Sequence, residues 1–381
     1  MTIVFLCGSI EPGCDGVGDY TRRLSKELLI NHKVSIIGLN DRYVSAVQQR
    51  ASRDRAQIGE YRIPASITTK NRIALAKDWI NQINPDVISL QFVIYSFHEK
   101  GLPFGFKNTI GNICNERFLH IMFHETWLGV TKSASFKDKI YGFLQKRIIL
   151  SLVKTSQPRL ITTTNGLYKT LLSEVNITAK IVPLFSNISI ADKDEVFLKK
   201  IYSELNLDVN RSYYIVGVFG NIYNDSNIRD GIIEFENSKK SENITTVVLG
   251  FGKISERAAS IFQQLHFEFS NRIIIKHLGE FEPKQLSNLI QILDVAISPT
   301  PAKHIGKSGV YAALRLHGKA VIIPNTKLFP EYEHEIMDFN KQLELRSAES
   351  FDVANVAKDF SRLISQAIQN SNSNKKLSTT F

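Results

Sequence analysis

The chain is 381 residues long, which is room for two domains with separate cores, so neither a disulfide nor a metal staple is needed for stability. Hydrophobic residues make up 43% and charged residues 22%, values that exclude general disorder. Lys and Arg number 47 against 37 Asp and Glu, an excess that favours anionic partners (nucleotides, nucleic acid or an acidic membrane surface) without choosing among them.

Cys7, Cys14 and Cys114 form an odd set with no C-x-x-C spacing, which argues against a disulfide framework and against structural zinc. The first strand begins at Thr2 with no basic leader, and no apolar run approaches the roughly 18 residues of a membrane span. The expectation is a cytoplasmic protein, with room for peripheral attachment to the inner face of a membrane.

Short apolar runs alternate with helical stretches along the chain. Residues 3–7 read as a buried strand, 20–30 as an amphipathic helix, 34–39 as a strand, and 73–83 as a helix with Ile73, Ala76, Ile80 and Ile83 on one face. Strands follow at 87–92 and 119–124, a helix at 136–152, and strands at 160–164 and 181–185. These strands are apolar at nearly every position, the mark of a parallel sheet covered on both faces. Residues 186–195 are polar and acidic and break the rhythm, so the interdomain linker is placed there. It restarts with strands at 213–219, 246–249, 273–275, 295–298 and 320–323. Helices lie between them at 228–240, 255–265, 283–293 and 308–316. A long helix at 351–368 precedes a low-complexity tail expected to fray. The predicted fold class is α/β, two doubly wound Rossmann-like domains (1–187 and 188–350) facing a central cleft, with 351–381 as a returning helix and tail.

Glycine clusters join strands to helices. Gly13 to Gly18 reads as a flexible loop in which Gly16 and Gly18 touch a phosphate or sugar, or as a loop that merely turns. A dinucleotide fingerprint fits poorly: its third glycine position is Thr21, although Asp41 stands near where a ribose-binding acid would be. Gly250 and Gly252 form a second pair, either a tight turn or a backbone contact with a nucleotide. The sharpest segment is 294–325, whose loop delivers His304, Gly306, Lys307, Ser308 and Gly309 to the start of a helix. Free N–H groups, a helix dipole, a lysine and a hydroxyl together suit a diphosphate, while an ordinary capped helix is the plainer alternative. Gly306-Lys307-Ser308 also looks like the end of a Walker A loop, but Pro301 stands where its first glycine belongs. His124, at a strand end, and Arg229, after the first strand of the second half, are further site candidates. The helix at 136–154 carries Lys137, Lys139, Lys146, Arg147 and Lys154 among apolar residues, as a covering helix with a solvated face or one lying on an acidic membrane. No helix-turn-helix or aromatic recognition motif supports nucleic-acid binding.

In this order the blocks GCDGVGDYTRRLSKEL, INPDVISLQF, IMFHET, VFGNIYNDSNIRDGI, VVLGFGKISERAASI, HLGEFEPKQLSNLIQILDVAISPT and GVYAALRLHGKAVIIP resemble the GT-B glycosyltransferases, most of all family four. The resemblance covers nearly the whole chain. It implies a retaining, metal-independent transfer of a sugar from a nucleotide-sugar donor to a glycan or lipid-linked acceptor, as in cell-surface polysaccharide synthesis, with no cofactor beyond that co-substrate. The expected catalytic residues are His124, by resemblance, and Arg229 and Lys307, as positive charge aimed at the leaving diphosphate. Gly16, Gly18, Asn221, His304, Gly306, Ser308 and Gly309 are expected to bind the donor diphosphate, and Gly250, Gly252 and Gly279 the nucleotide. The family's Glu-x7-Glu is absent, with Ile305 and Ala313 in its place, and the usual Arg falls on Asn221. That departure motivates an alternative: an inactive glycosyltransferase-like subunit that partners an active enzyme.

Overall fold

The computed structural model describes residues 1–50, 57–114, 117–208, 211–223, 226–239, 244–252, 255–324 and 330–378. They form two compact units: Met1–Val182 with Val353–Phe381, and Pro183–Asp352. The second unit is therefore inserted into the first, and its own ends meet, the Ser186 N–H donating to the Phe351 carbonyl over 2.8 Å. Among the described residues no helix is long and apolar enough to cross a membrane.

The first unit runs β1 (Thr2–Cys7), α1 (Gly16–Leu28), β2 (Lys33–Asp41), β3 (Gln48–Arg50), β4 (Gly59–Pro64), α2 (Thr69–Ile83), β5 (Val87–Phe92), α3 (Ile94–Phe97), α4 (Phe106–Cys114), β6 (Phe118–Phe123), α5 (Phe136–Ser156), β7 (Leu160–Thr163), α6 (Gly166–Ser173) and β8 (Lys180–Ile181). Its sheet has the order β3-β4-β2-β1-β5-β6-β7-β8, parallel throughout except for the edge pair β3–β4. Alternation of side chains splits the sheet into two buried faces. Val4, Leu6, Ile88, Leu90, Ile121 and Phe123 join a core with Ala76, Ile80, Ile110 and Ile149 of the helices on one side. The opposite face carries Phe5 and His120, whose rings lie 5.8 and 5.3 Å from Phe360.

The second unit runs α7 (Glu195–Glu204), β9 (Tyr213–Phe219), α8 (Ile228–Ser238), β10 (Thr245–Phe251), α9 (Glu256–Phe269), β11 (Ile273–His277), α10 (Pro283–Gln291), β12 (Val295–Ile297), a 3-10 turn (Ala302–Lys307), α11 (Gly309–Leu316), β13 (Ala320–Ile322) and α12 (Glu333–Glu344). The sheet order is β11-β10-β9-β12-β13, all parallel, with a core on each face. The last helix, α13 (Val353–Ser378), returns to the first unit, where His32 Nε2 and Ser361 Oγ lie 2.8 Å apart. Both units are thus doubly wound parallel sheets wrapped by helices.

Three sequence expectations change. The first helix begins at Gly16, not residue 20, because the Asp15 carboxylate caps it by accepting from the Val17 and Gly18 N–H groups at 3.0 and 2.9 Å. The tail expected to fray continues as α13 to Ser378. The β3–β4 edge, short or rich in polar residues, was not anticipated from the apolar pattern.

Candidate functional site

In an open parallel sheet, ligands gather outside the carboxyl ends of the strands where the strand order reverses. In the second unit that point lies between β9 and β12. Three neighbouring strands end there in glycines of left-handed conformation: Gly220 (φ 89°) after β9, Gly252 (φ 103°) after β10 and Gly279 (φ 90°) after β11. Their backbones stay bonded beyond the sheet, Gly220 N–H to the Phe251 carbonyl at 2.9 Å and Gly252 N–H to the Gly279 carbonyl at 2.8 Å. A Cβ on Gly252 would stand 3.2 Å from the Gly220 nitrogen. The edge is consequently a strip of bare backbone. Asn221 follows, exposed and with no side-chain hydrogen bond among the described residues.

Beside the strip, β12 leads into the segment the sequence marked as sharpest. Ser298 Oγ donates to the Thr300 carbonyl at 2.8 Å and accepts from the Thr300 N–H at 3.1 Å, which turns the chain. The 3-10 turn then holds His304, Gly306 and Lys307, with Ile305 buried beneath. Ser308 caps α11, its Oγ accepting from the Tyr311 N–H at 3.1 Å and lying 2.9 Å from Thr300 Oγ1. The hydroxyl expected to face a diphosphate is therefore buried and spent on the cap; the sequence pattern could not show that Thr300 returns to it. What remains at the helix start are the Gly309 and Val310 N–H groups, which have no acceptor among the described residues, at the positive end of the helix dipole. Gly309 leaves that end open: the nearest atom to a Cβ there would be Asn187 Oδ1 at 3.8 Å. Lys307 sits two residues before Gly309, half-buried. Gly220 packs against the same turn, where a Cβ would lie 2.8 Å from Val310 Cγ2. Sequence reasoning missed Gly220 and Asn187, because neither stands in a cluster.

Two expected members are engaged by neighbours of their own. Gly250 lies inside β10, where a Cβ would meet the Phe262 ring at 2.2 Å and where its carbonyl accepts from the Leu278 N–H at 2.8 Å; it is small for packing. Arg229 forks onto the Glu268 carboxylate of α9, with Nε at 2.9 Å from both oxygens and Nη2 at 2.6 Å from one. That partner is 39 residues away in sequence, so the reading of a solvated or phosphate-seeking arginine could not see it. Ile305 and Ala313, where the resemblance places two glutamates, are 1% and 0% exposed in the core.

In the first unit, the order reverses between β1 and β5. The expected glycine loop is a helix start: Gly16 and Gly18 belong to α1, the Val17 and Gly18 amides are answered by the Asp15 carboxylate, and a Cβ on Gly18 would lie 2.7 Å from the Ser9 carbonyl oxygen. Asp41, weighed as a ribose ligand, is fully buried and accepts from Ser9 Oγ, Ile10 N–H, Tyr43 N–H and Arg62 Nε at 3.1, 3.3, 3.0 and 2.7 Å. It is a structural anchor of the β1 loop.

His124 follows β6, with Tyr20 of α1 edge-on to its ring at 5.1 Å. Its Nε2 lies 2.9 Å from Gln91 Oε1, and its Nδ1 takes no partner among the described residues. Burial lowers its pKa to about 4, so the ring is neutral at ordinary pH. Two hydroxyls nearby in sequence, Thr126 Oγ1 and Thr164 Oγ1, are buried with no hydrogen-bond partner among the described residues.

No family model matches the chain, and no curated protein matches it. Solved structures do. A glycosyltransferase from Rickettsia africae is 13% identical, with 97% of this chain and 99% of that one superposed at a TM-score of 0.53. The catalytic domain of starch synthase IV from Arabidopsis thaliana, bound to ADP and acarbose, is 12% identical over 97% and 99% of the two chains, with a TM-score of 0.52. The chain has the GT-B fold. Trehalose 6-phosphate synthase from Burkholderia multivorans, 8% identical over 98% of both chains at a TM-score of 0.51, is similar in the same way. At these identities the likeness is one of GT-B architecture, and chemistry has to be argued from the residues.

Proposed function

We propose that this GT-B chain transfers a sugar from a nucleotide-sugar donor, with the donor's diphosphate held at the start of α11. The observation that carries this is the pair of unanswered amides, Gly309 and Val310, beside the strip of Gly220, Gly252 and Gly279 at the strand-order reversal. Departure of a nucleoside diphosphate builds negative charge on the phosphate oxygens. Fixed N–H donors, a helix dipole and the Lys307 ammonium stabilise that charge more in the transition state than in the bound donor. Arg229 has no part in this scheme. The bare glycine edge lets a nucleotide approach the backbone closely, and we assign His124 to contact with a sugar or acceptor hydroxyl. Retention of configuration and independence from metal belong to the same proposal.

We place the acceptor on a lipid or membrane-bound glycan, because α5 exposes Phe136, Ile140 and Phe143 at 79%, 44% and 56% on one face. Arg147 stacks over Phe143 at 5.0 Å and Lys146 over Trp127 at 5.3 Å, so cations border the apolar stripe. Such a face suits an acidic lipid surface. Co-sedimentation with vesicles containing acidic lipid tests it: Phe143→Asp is expected to release the protein, and equal recovery with neutral vesicles argues against the assignment.

The activity test is a panel of nucleotide sugars read for nucleoside diphosphate release, repeated with Lys307→Ala. Turnover reduced by about tenfold or more in the variant supports the scheme. Nucleotide binding without turnover on any acceptor favours a binding subunit, a reading that the buried Ile305 and Ala313 support. Absence of nucleotide binding overturns both.

A further inference from the structure

Behind His124, a line of buried side chains crosses three strands of the first unit. His124 Nε2 and Gln91 Oε1 are 2.9 Å apart, Gln91 Nε2 and Ser89 Oγ 2.8 Å, Ser89 Oγ and His120 Nδ1 2.8 Å, and His120 Nε2 and Thr162 Oγ1 2.8 Å. Ser89, Gln91, His120 and Thr162 are each 0% exposed. Side chains so fully closed off from bulk solvent have to satisfy one another, so the protons have to be shared consistently along the line.

The amide of Gln91 fixes the direction. Its carbonyl can only accept, so His124 donates from Nε2. Its NH2 can only donate, so Ser89 Oγ accepts. The Ser89 proton then has one acceptor left, His120 Nδ1, and His120 donates from Nε2 to Thr162. All four bonds point the same way, from His124 inward, and such an alignment strengthens each member. Burial keeps the inner ring neutral, lowering the His120 pKa to about 3, with the neighbouring His124 adding to the effect. Neither ring can escape the arrangement by taking a second proton. Reversing the direction requires the Gln91 amide to turn over and every proton on the line to move with it.

We propose that Gln91, Ser89, His120 and Thr162 are positioning residues that hold His124 in its Nε2–H tautomer, so that Nδ1 is offered as an acceptor to a donor hydroxyl of the sugar or acceptor substrate. The hydroxyl half rests on the proposed function; the tautomer half rests on the hydrogen-bond line alone. The two histidines differ in surroundings: His120 packs against Phe360 of α13, whereas His124 packs edge-on to Tyr20 and keeps one nitrogen without a partner among the described residues.

The experiment is nitrogen-15 NMR of the full chain labelled at histidine, with His120→Asn and His124→Asn used to assign the signals. At neutral pH both rings are expected as the Nε2–H form. Gln91→Met removes the acceptor, and Ser89→Ala removes the group that orients the Gln91 amide without touching His124. Each is expected to give His124 as a mixture of tautomers, and Ser89→Ala keeps the test alive if Gln91→Met fails to fold. A role confined to packing would leave the tautomer unmoved. In nucleotide-sugar turnover, Ser89→Ala is expected to lower kcat by about fivefold, the worth of one neutral hydrogen bond. His124 found as the Nδ1–H form in the parent protein, or unchanged in both variants, overturns the proposal. A shifted tautomer in a protein that turns over no nucleotide sugar leaves the line standing and removes the functional reading instead.

Discussion

Gly309→Pro removes one amide donor from the start of α11 and nothing else that the structure uses. Gly309 is the first helical residue after the Ser308 cap, the position where proline is tolerated because the N–H it lacks has no helical partner. Ser308 already has φ −88° and ψ 108°, the extended backbone that a following proline demands. A Cβ there meets nothing nearer than Asn187 Oδ1 at 3.8 Å, an ordinary contact. Stability should thus stay within about 1 kcal/mol of the parent, and fixing a glycine in the unfolded chain works toward a small gain. If that amide holds a phosphate oxygen, its loss costs a hydrogen bond to a charged group, about 1.5–3 kcal/mol, or about 10- to 150-fold in dissociation constant. Calorimetric titration with UDP, ADP and GDP measures it, with urea denaturation as the check on folding. A well-folded Gly309→Pro protein that binds the same nucleoside diphosphate as tightly as the parent refutes the placement of the diphosphate.

Asp41→Asn should destabilise the first unit by about 3–5 kcal/mol in urea denaturation. Four donors converge on that carboxylate, and an amide leaves two of them facing an NH2 in either orientation, Ser9 Oγ with Tyr43 N–H or Ile10 N–H with Arg62 Nε, while the charge opposite Arg62 is lost; a loss under about 1 kcal/mol would show that the cluster is not an anchor. Tyr311→Phe should be neutral or stabilising by about 1–3 kcal/mol, because the phenolic oxygen is buried with no partner among the described residues and burial raises its pKa to about 12. A clear loss of stability would reveal a partner for that oxygen. The folded-state pKa values of His120 and His124 lie below the unfolded imidazole value, so the unfolded chain takes up more protons as pH falls. Stability is then full above about pH 6.5 and declines toward about pH 4 by up to about 1.4 kcal/mol per pH unit for each ring. A urea midpoint that holds level across that window would contradict the burial of the two rings, and His120→Asn should flatten the slope if they are the cause.

The fold could be read in the sequence because a parallel sheet covered on both faces needs runs that are apolar at nearly every position, and β1, β5 and β6 come close enough to show it. The start of α1 was hidden for the opposite reason. Two glycines depress helix propensity, and only the Asp15 cap offsets them. Within the candidate site, the segment from His304 to Gly309 was visible as a cluster on a strand-to-helix connection. The fate of Ser308 and Arg229 was not, since each is decided by a partner, Thr300 or Glu268, supplied by packing. Gln91 was overlooked inside an apolar run, yet a polar residue there has to find partners across neighbouring strands, and such residues are signals that periodicity alone discards.

The bond between Ser186 and Phe351 has a consequence for dissection of the molecule. A segment whose entry and exit are that close needs almost no loop entropy to join them. Residues 183–352 can accordingly be excised as a gene fragment with adjacent termini, or recircularised through a short connector and opened elsewhere, without pulling its backbone apart. Nucleotide binding by that isolated insert would then be measurable with the histidine line removed from the solution altogether.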